Sequence, residues 1–263
     1  MKKISLALIL LFMTTYHYAQ SPKKAESVSV NGKNIYYEVY GEGPPLILLH
    51  GYSQSSKSWL PYVADFDQKY EVYLVDLTGH GNSEAFKEDL SIKAVAEDLN
   101  ALIHYLKLPK IKAIGFSFGG DVLFQLALIN PPLIESMVTI GAVGTWTVND
   151  FPQYQEGFTF ENRSNFPWLA TSHQSDAQVK GIMDQFQNYT VKLSDAALKQ
   201  IQTEVLLTLG DDDEGMDLEE VVRVKKHLSK SDLWILPNVS HGAHEGENKE
   251  EFIRKVKAFL SKN

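Results

Sequence analysis

The sequence predicts the α/β class: a mostly parallel central sheet with helices on both faces and an inserted cap. Three observations carry this. Short apolar runs bounded by turn residues alternate with stretches of helical periodicity along most of the chain. The alternation breaks once, over about residues 143–193, a length that ordinary connections do not reach. The 263 residues suffice for one large core with an insertion better than for two independent domains.

The first segment reads as a leader. Met1-Lys2-Lys3 followed by the apolar run Ile4 to Met13 gives a basic start and roughly a dozen apolar residues, short of the ~20 needed to span a bilayer. A secretory signal over residues 1–19 is expected, cut after Ala19, although His17 is larger than the residue usual two places before such a cut. Residues 20–263 then form the folded domain, exported to a bacterial periplasm or medium with no stable membrane anchor after cleavage.

Ser27 to Val30 and Asn34 to Tyr40 read as a hairpin, because Asn31-Gly32 between them supplies the positive φ angles of a tight turn. Pro45 to Leu49 and Glu71 to Val75 read as buried strands. Ser91 caps a helix in which Ile92, Val95, Ala96, Leu99, Leu102, Ile103 and Leu106 recur at helical spacing and give one apolar face to the sheet. Lys110 to Gly115 is a strand, and Asp121 to Ile129 a helix. Met137 to Ile140, Val205 to Leu209 and Asp232 to Leu236 complete the sheet. Across the break, Trp146, Phe151, Tyr154, Phe158, Phe160, Phe166, Trp168, Phe186 and Tyr189 lie among polar residues. About half of them are expected to pack a small core of the insert, and the rest to line an apolar pocket.

The seam Gly115-Phe116-Ser117-Phe118-Gly119-Gly120 sets a serine between glycines where an apolar strand turns into a helix. Missing Cβ atoms on either side permit a strained turn that lifts the serine oxygen above the sheet. Later in the chain, the strand at Val205 runs into Gly210-Asp211-Asp212-Asp213-Glu214, and the strand at Asp232 runs into Pro237-Asn238-Val239-Ser240-His241. The order serine, acid, histidine, each just past a strand end, is the one that a nucleophile elbow requires.

These motifs resemble the α/β-hydrolase family, over nearly everything from about Ser27 to Phe259. His50-Gly51-Tyr52 looks like the family's oxyanion loop, Trp59 stands where the family often has a tryptophan, and Asp76-Leu77-Thr78-Gly79-His80-Gly81-Asn82-Ser83 looks like its D-x-x-G-x-G-x-S turn. The resemblance implies Ser117 as nucleophile, His241 as general base and Asp213 as the carboxylate that orients the imidazole. Asp213 is preferred over Asp211 and Asp212 because the family's acid usually lies three residues past the strand-ending glycine. Backbone N–H groups of Tyr52 and Phe118 would form the oxyanion hole. Ser53 departs from the proline or glycine common in relatives and adds a hydroxyl there. The insert resembles the family's cap.

Composition prunes other functions. The chain carries 25 Lys and Arg against 33 Asp and Glu, with the basic residues scattered, so nucleic acid is not an expected partner. With no cysteine, neither disulfides nor lipid attachment through cysteine is open to it. His244 beside His241 lacks a third ligand at metal-binding spacing, and the acidic run at Asp211 reads as a solvated turn with one recruited carboxylate. His50 and His80 are expected to hold loop geometry, and Asp121 to complement the dipole of the helix behind the elbow. No metal or organic cofactor is expected.

A serine nucleophile disfavours the epoxide and haloalkane chemistry that this fold runs with aspartate. The expected function is hydrolysis of carboxylic esters with small to medium apolar acyl groups through an acyl-enzyme, Phe116 and Phe118 being read as part of the acyl site. Carbon–carbon or lactone hydrolysis, and a low-turnover small-ligand sensor, are the alternatives. The partner is then a small apolar ester.

Overall fold

The computed structural model describes residues 21–262, so the expected signal segment lies outside the described residues. β1 (Lys24–Val30) and β2 (Lys33–Tyr40) pair as the antiparallel hairpin read from Asn31-Gly32, with both turn residues at positive φ. β3 (Pro45–Leu49) leads through a 3-10 stretch at Ser56–Tyr62 into α1 (Val63–Phe66), and β4 (Glu71–Val75) into α2 (Ile92–Tyr105). The Ser91 hydroxyl caps α2 by accepting from the Ala94 N–H at 3.3 Å.

β5 (Ile111–Phe116) turns into α3 (Phe118–Ile129), which starts one turn earlier than the apolar periodicity suggests, and β6 (Ile134–Ile140) also starts earlier, at Ile134. The chain then leaves the sheet. β7 (Thr145–Thr147) and β8 (Thr190–Lys192) pair antiparallel across α4 (Pro152–Gly157), α5 (Trp168–Ser172) and α6 (Asp176–Gln185), and α7 (Asp195–Leu198) leads back to the sheet. β9 (Glu204–Gly210), α8 (Leu218–His227), β10 (Ser231–Leu236) and α9 (Lys249–Leu260) finish the chain.

The eight-stranded sheet runs β1-β2-β4-β3-β5-β6-β9-β10, antiparallel at β1-β2 and β2-β4 and parallel elsewhere. Side-chain period two splits each parallel strand between two cores. Ile47, Leu49, Ala113, Met137, Val205 and Leu207 face one cluster, which α2, α3 and α8 cover. Leu46, Leu48, Ile114, Val138 and Leu206 face the other, under α1 and α9.

From β3 the chain proceeds to β4 on one side, then returns to place β5 on the other. The β3/β5 boundary is therefore the switch point at which ligands of open α/β sheets gather, beyond the carboxyl ends of the strands. Register brings those ends level: Leu49 pairs with Gly115, Phe116 with Ile140, and Gly210 with Leu236. The loops that carry Tyr52, Ser117, Asp213 and His241 all leave from this one edge.

Candidate active site

Ser117 joins β5 to α3 with φ 50° and ψ −116°, outside the regions favoured by L-residues. Neighbouring hydrogen bonds hold it there: its N–H donates to the Ile140 carbonyl at 2.7 Å, and its own carbonyl accepts from the N–H groups of Gly120 and Asp121 at 2.8 and 3.1 Å. Both flanking glycines are required by close approach. A Cβ on Gly115 would lie 2.5 Å from the Gly119 backbone, and one on Gly119 would lie 2.6 Å from the Leu49 carbonyl oxygen.

His241 Nδ1 stands 2.7 Å from Asp213 Oδ2, and the Gly215 N–H donates to Asp213 Oδ1 at 3.0 Å. A carboxylate only accepts, so the hydrogen sits on Nδ1 and leaves the Nε2 lone pair free. Asp213 is buried, while the imidazole is 41% exposed and so open to the cavity. The neighbouring acids have other work. Asp211 Oδ1 accepts from the Asn238 N–H at 2.6 Å, and Asp212 N–H donates to the Val239 carbonyl at 3.0 Å. With Asp211 N–H on Leu236 O at 3.0 Å, three bonds tie the acid loop to the histidine loop. Gly141, at φ 58°, makes room for the ring, since a Cβ there would lie 2.7 Å from His241.

Tyr52 follows β3, and Phe118 opens α3. A first-turn helical N–H has no partner within its helix, and no hydrogen bond among the described residues uses the N–H of Tyr52. The next amide along the helix is engaged, Gly119 N–H donating to the His50 carbonyl at 3.1 Å.

His50 and His80 fix loops, as their positions suggest. His50 accepts from the Leu77 N–H at 3.0 Å through Nε2 and donates from Nδ1 to the Gly51 carbonyl at 2.8 Å. Its burial, and that of His80, push both imidazoles below their ordinary range. Asp76 ties the D-x-x-G-x-G-x-S turn by accepting from the Asn82 and Ser56 N–H groups at 2.7 and 2.6 Å. Buried His244 packs against Phe116, with burial lowering its pKa to about 3. Among the described residues no group of three or more His, Asp or Glu is disposed to hold a metal ion.

Ser117, Asp213 and His241 line one cavity of about 470 Å³, with Tyr52, Asp121, Val143, Trp146, Tyr154, Phe186, Tyr189 and Met216 among its walls. A second hollow of about 350 Å³ adjoins it, sharing Tyr52, Tyr154 and Phe186 and adding Phe158, Phe166 and Trp168. The insert's aromatics divide between these duties. Phe158, Phe160 and Phe166 pack on a small core of Leu169, Val179 and Met183, whereas Trp146, Tyr154, Phe186 and Tyr189 face the main cavity.

Three expectations change, and one residue without a motif gains a role. Phe118 is fully buried and Phe116 lies against His241 and His244, so the apolar walls come from the insert rather than from the elbow's own phenylalanines. Asp121 does more than complement a helix dipole: it lines the cavity, accepting from the Tyr189 hydroxyl at 2.8 Å and the Gly144 N–H at 3.1 Å. Burial pushes its carboxyl up to about 7 against those two bonds. Ser53 accepts from Trp168 Nε1 at 3.3 Å, which makes it an anchor for the insert. His173, which carries no motif, bridges insert and sheet domain: Gly81 N–H donates to its Nδ1 and its Nε2 donates to the Ser53 carbonyl, both at 3.0 Å.

The sequence profile described as alpha/beta hydrolase fold matches residues 44–179, just over half of the chain. The pimeloyl-[acyl-carrier protein] methyl ester esterase of Aeromonas hydrophila is 33% identical over 118 residues, 44% of this chain and 45% of the esterase. The soluble epoxide hydrolase of Corynebacterium sp. is 32% identical over 114 residues, 43% of this chain and 40% of that enzyme. Each match spans less than two thirds of the relative's length. Among solved structures, carboxylesterase CesB from Bacillus subtilis superposes with a TM-score of 0.76 at 21% identity, over 91% of this chain and 92% of that one. That likeness concerns the fold, and together with the profile it leads to one statement: the chain belongs to the alpha/beta hydrolase family.

Proposed function

We propose that this protein is a serine hydrolase that cleaves carboxylic esters through an acyl-enzyme, with Ser117, His241 and Asp213 as its triad and an insert that caps the site. The observation that carries the reading is the 2.7 Å contact of His241 Nδ1 with Asp213 beside the same cavity as Ser117 at φ 50°. In this reading Ser117 Oγ attacks the carbonyl carbon as His241 Nε2 takes its proton, and Asp213 holds the tautomer and stabilises the imidazolium. The oxyanion lies against the N–H groups of Tyr52 and Phe118, each donor being worth about 3 kcal/mol in comparable sites. His241 returns the proton to the departing alcohol, and water, deprotonated by the same nitrogen, releases the acid.

The adjoining hollow lined by Phe158, Phe166 and Trp168 supports an apolar acyl group of small to medium size. A chromogenic ester series from acetyl to dodecanoyl tests this. Turnover by the mature protein with an optimum at a short or medium acyl group is expected, lost on the order of 10⁴-fold or more in Ser117→Ala. Turnover that survives in Ser117→Ala overturns the nucleophile. Inertness toward every ester, with Ser117 still labelled by a serine-directed phosphonate, moves the reading to carbon–carbon or lactone cleavage or to a sensor. On the same footing, the basic start and apolar run of Met1 to Met13 support export, which fractionation of expressing cells checks.

A further inference from the structure

The main cavity has a charge asymmetry that hydrolysis of neutral esters does not use. Asp121, Asp212, Asp213 and Glu214 all line it, and no Lys or Arg does. Asp213 is committed to His241, and Asp212 and Glu214 stand exposed on the acid loop. Asp121 differs from both. It is 3% exposed, and among the described residues it forms no ion pair.

A carboxylate offers about four acceptor positions. Tyr189 and Gly144 fill two of them, which leaves acceptor capacity directed at the cavity. Asp121 N–H bonds the Ser117 carbonyl at 3.1 Å, so the carboxylate lies one helical turn from the nucleophile. A substrate carbonyl on Ser117 therefore brings the groups a few bonds away within reach of Asp121. Burial without a counter-charge raises this carboxyl to about 7, and an ammonium group beside it would favour its charged form. The rings of Trp146, Tyr154, Phe186 and Tyr189 line the same space, and aromatic rings are the side chains that attract an organic cation through their faces.

We infer that the cavity selects esters bearing a protonated amine a few bonds from the scissile carbonyl, and that Asp121 is the specificity-determining residue that receives the ammonium group. The acyl-enzyme reading above supplies the reaction, and this inference deepens it. The apolar hollow takes the hydrocarbon half of such a substrate and the main cavity the cationic half.

Two matched pairs test it: 3-(dimethylamino)propyl butanoate against its carbon isostere 4-methylpentyl butanoate, and ethyl 4-(dimethylamino)butanoate against ethyl 5-methylhexanoate. Calorimetric binding to Ser117→Ala, in which the esters stay intact, reads recognition without turnover. We expect at least one amine ester to bind about tenfold or more tightly than its isostere, the scale of one desolvated charge pair, and Asp121→Asn in that background to bring the ratio near one. Equal binding within both pairs overturns the inference, whether or not Asp121→Asn folds. A preference that survives Asp121→Asn and disappears in Asp212→Asn with Glu214→Gln moves the cation to the cavity mouth and overturns the role of Asp121. Wild-type turnover of the same four esters decides the hydrolase reading separately: if none is cleaved, that reading fails while the binding ratio still decides this one.

Discussion

The sheet domain and its insert are built by different means. The sheet fills two extensive cores, one on each face, with residues such as Phe124, Phe252, Leu48 and Leu207 entirely out of water. The insert has a core of three buried residues, Leu169, Val179 and Met183, with half-exposed aromatics packed around it. It is fastened to the sheet domain at its ends by Val143, Tyr189, Val191 and Leu193, which join the sheet's core, and over its middle by polar contacts: His173 and Trp168 on Ser53, Gln178 on the carbonyls of Gly79 and Ser83, and Tyr52 Oη on the Ile182 carbonyl. The sheet half holds Ser117, Asp213 and His241, and the insert supplies most of the aromatic rings that line the two adjoining hollows. Local stability follows buried apolar contact, so adaptability is concentrated where shape is read.

That contrast can be broken from either side. His241→Ala should lower kcat on the order of 10⁴-fold or more and leave the denaturant midpoint near wild type, because the ring is part-exposed; a large stability loss would show that the two loops depend on the ring. Phe252→Ala, in the core under α9, should reduce global stability by about 3–5 kcal/mol in urea titration. Leu169→Ala removes one of the three residues of the insert's own buried cluster and should cost about 2–3 kcal/mol locally. It would appear as lost hydrogen-exchange protection in α5 and α6 and a raised KM, with the sheet's exchange unchanged. If Leu169→Ala lowers the global midpoint as far as Phe252→Ala does, the two regions unfold as one and the contrast fails.

The smallest effect is set by pH. Burial lowers the His173 pKa from 6.5 to about 4, assisted by His50 and Lys57 and opposed by the Ser53 carbonyl and Asp76. A base whose folded pKa is depressed contributes stability that is present above 6.5 and lost as pH falls toward 4. Protonation also puts a hydrogen on Nδ1, which then can no longer accept from Gly81. KM should therefore rise severalfold as pH falls through about 4, and His173→Gln, which keeps a donor and an acceptor on a side chain that does not titrate, should flatten the rise.

How far each half is legible in the sequence follows from the same physics. Continuous apolar runs such as Leu46 to Leu49 declare a strand buried on both faces, and the seam at Ser117 and the loops at Asp213 and His241 are marked by glycine and strand ends. Helices α8 and α9 carry the same kind of signal, in Val221 with Val224 and in Phe252, Val256 and Phe259. The insert offers no sustained period because its elements are one to three turns long. The roles of Asp121, Ser53 and His173 arise only when Tyr189, Trp168 and Gly81 are brought to them from distant parts of the chain. Asp211, Asp212 and Asp213 are indistinguishable by local chemistry, and only the hydrogen bonds to Asn238, Val239 and His241 separate them.

The stapling of the acid loop to the histidine loop has an evolutionary consequence. Asp211 and Asp212 bind the loop that carries His241, and among the described residues no hydrogen bond runs from either loop to residues 145–193. Asp213 and His241 thus sit in a self-contained cassette of two loops. If the pair handles the proton as proposed, drift, shortening or exchange of the insert would redraw what enters the cavity while the imidazole stays aimed, so new substrate ranges would become reachable without first losing the means to act on them.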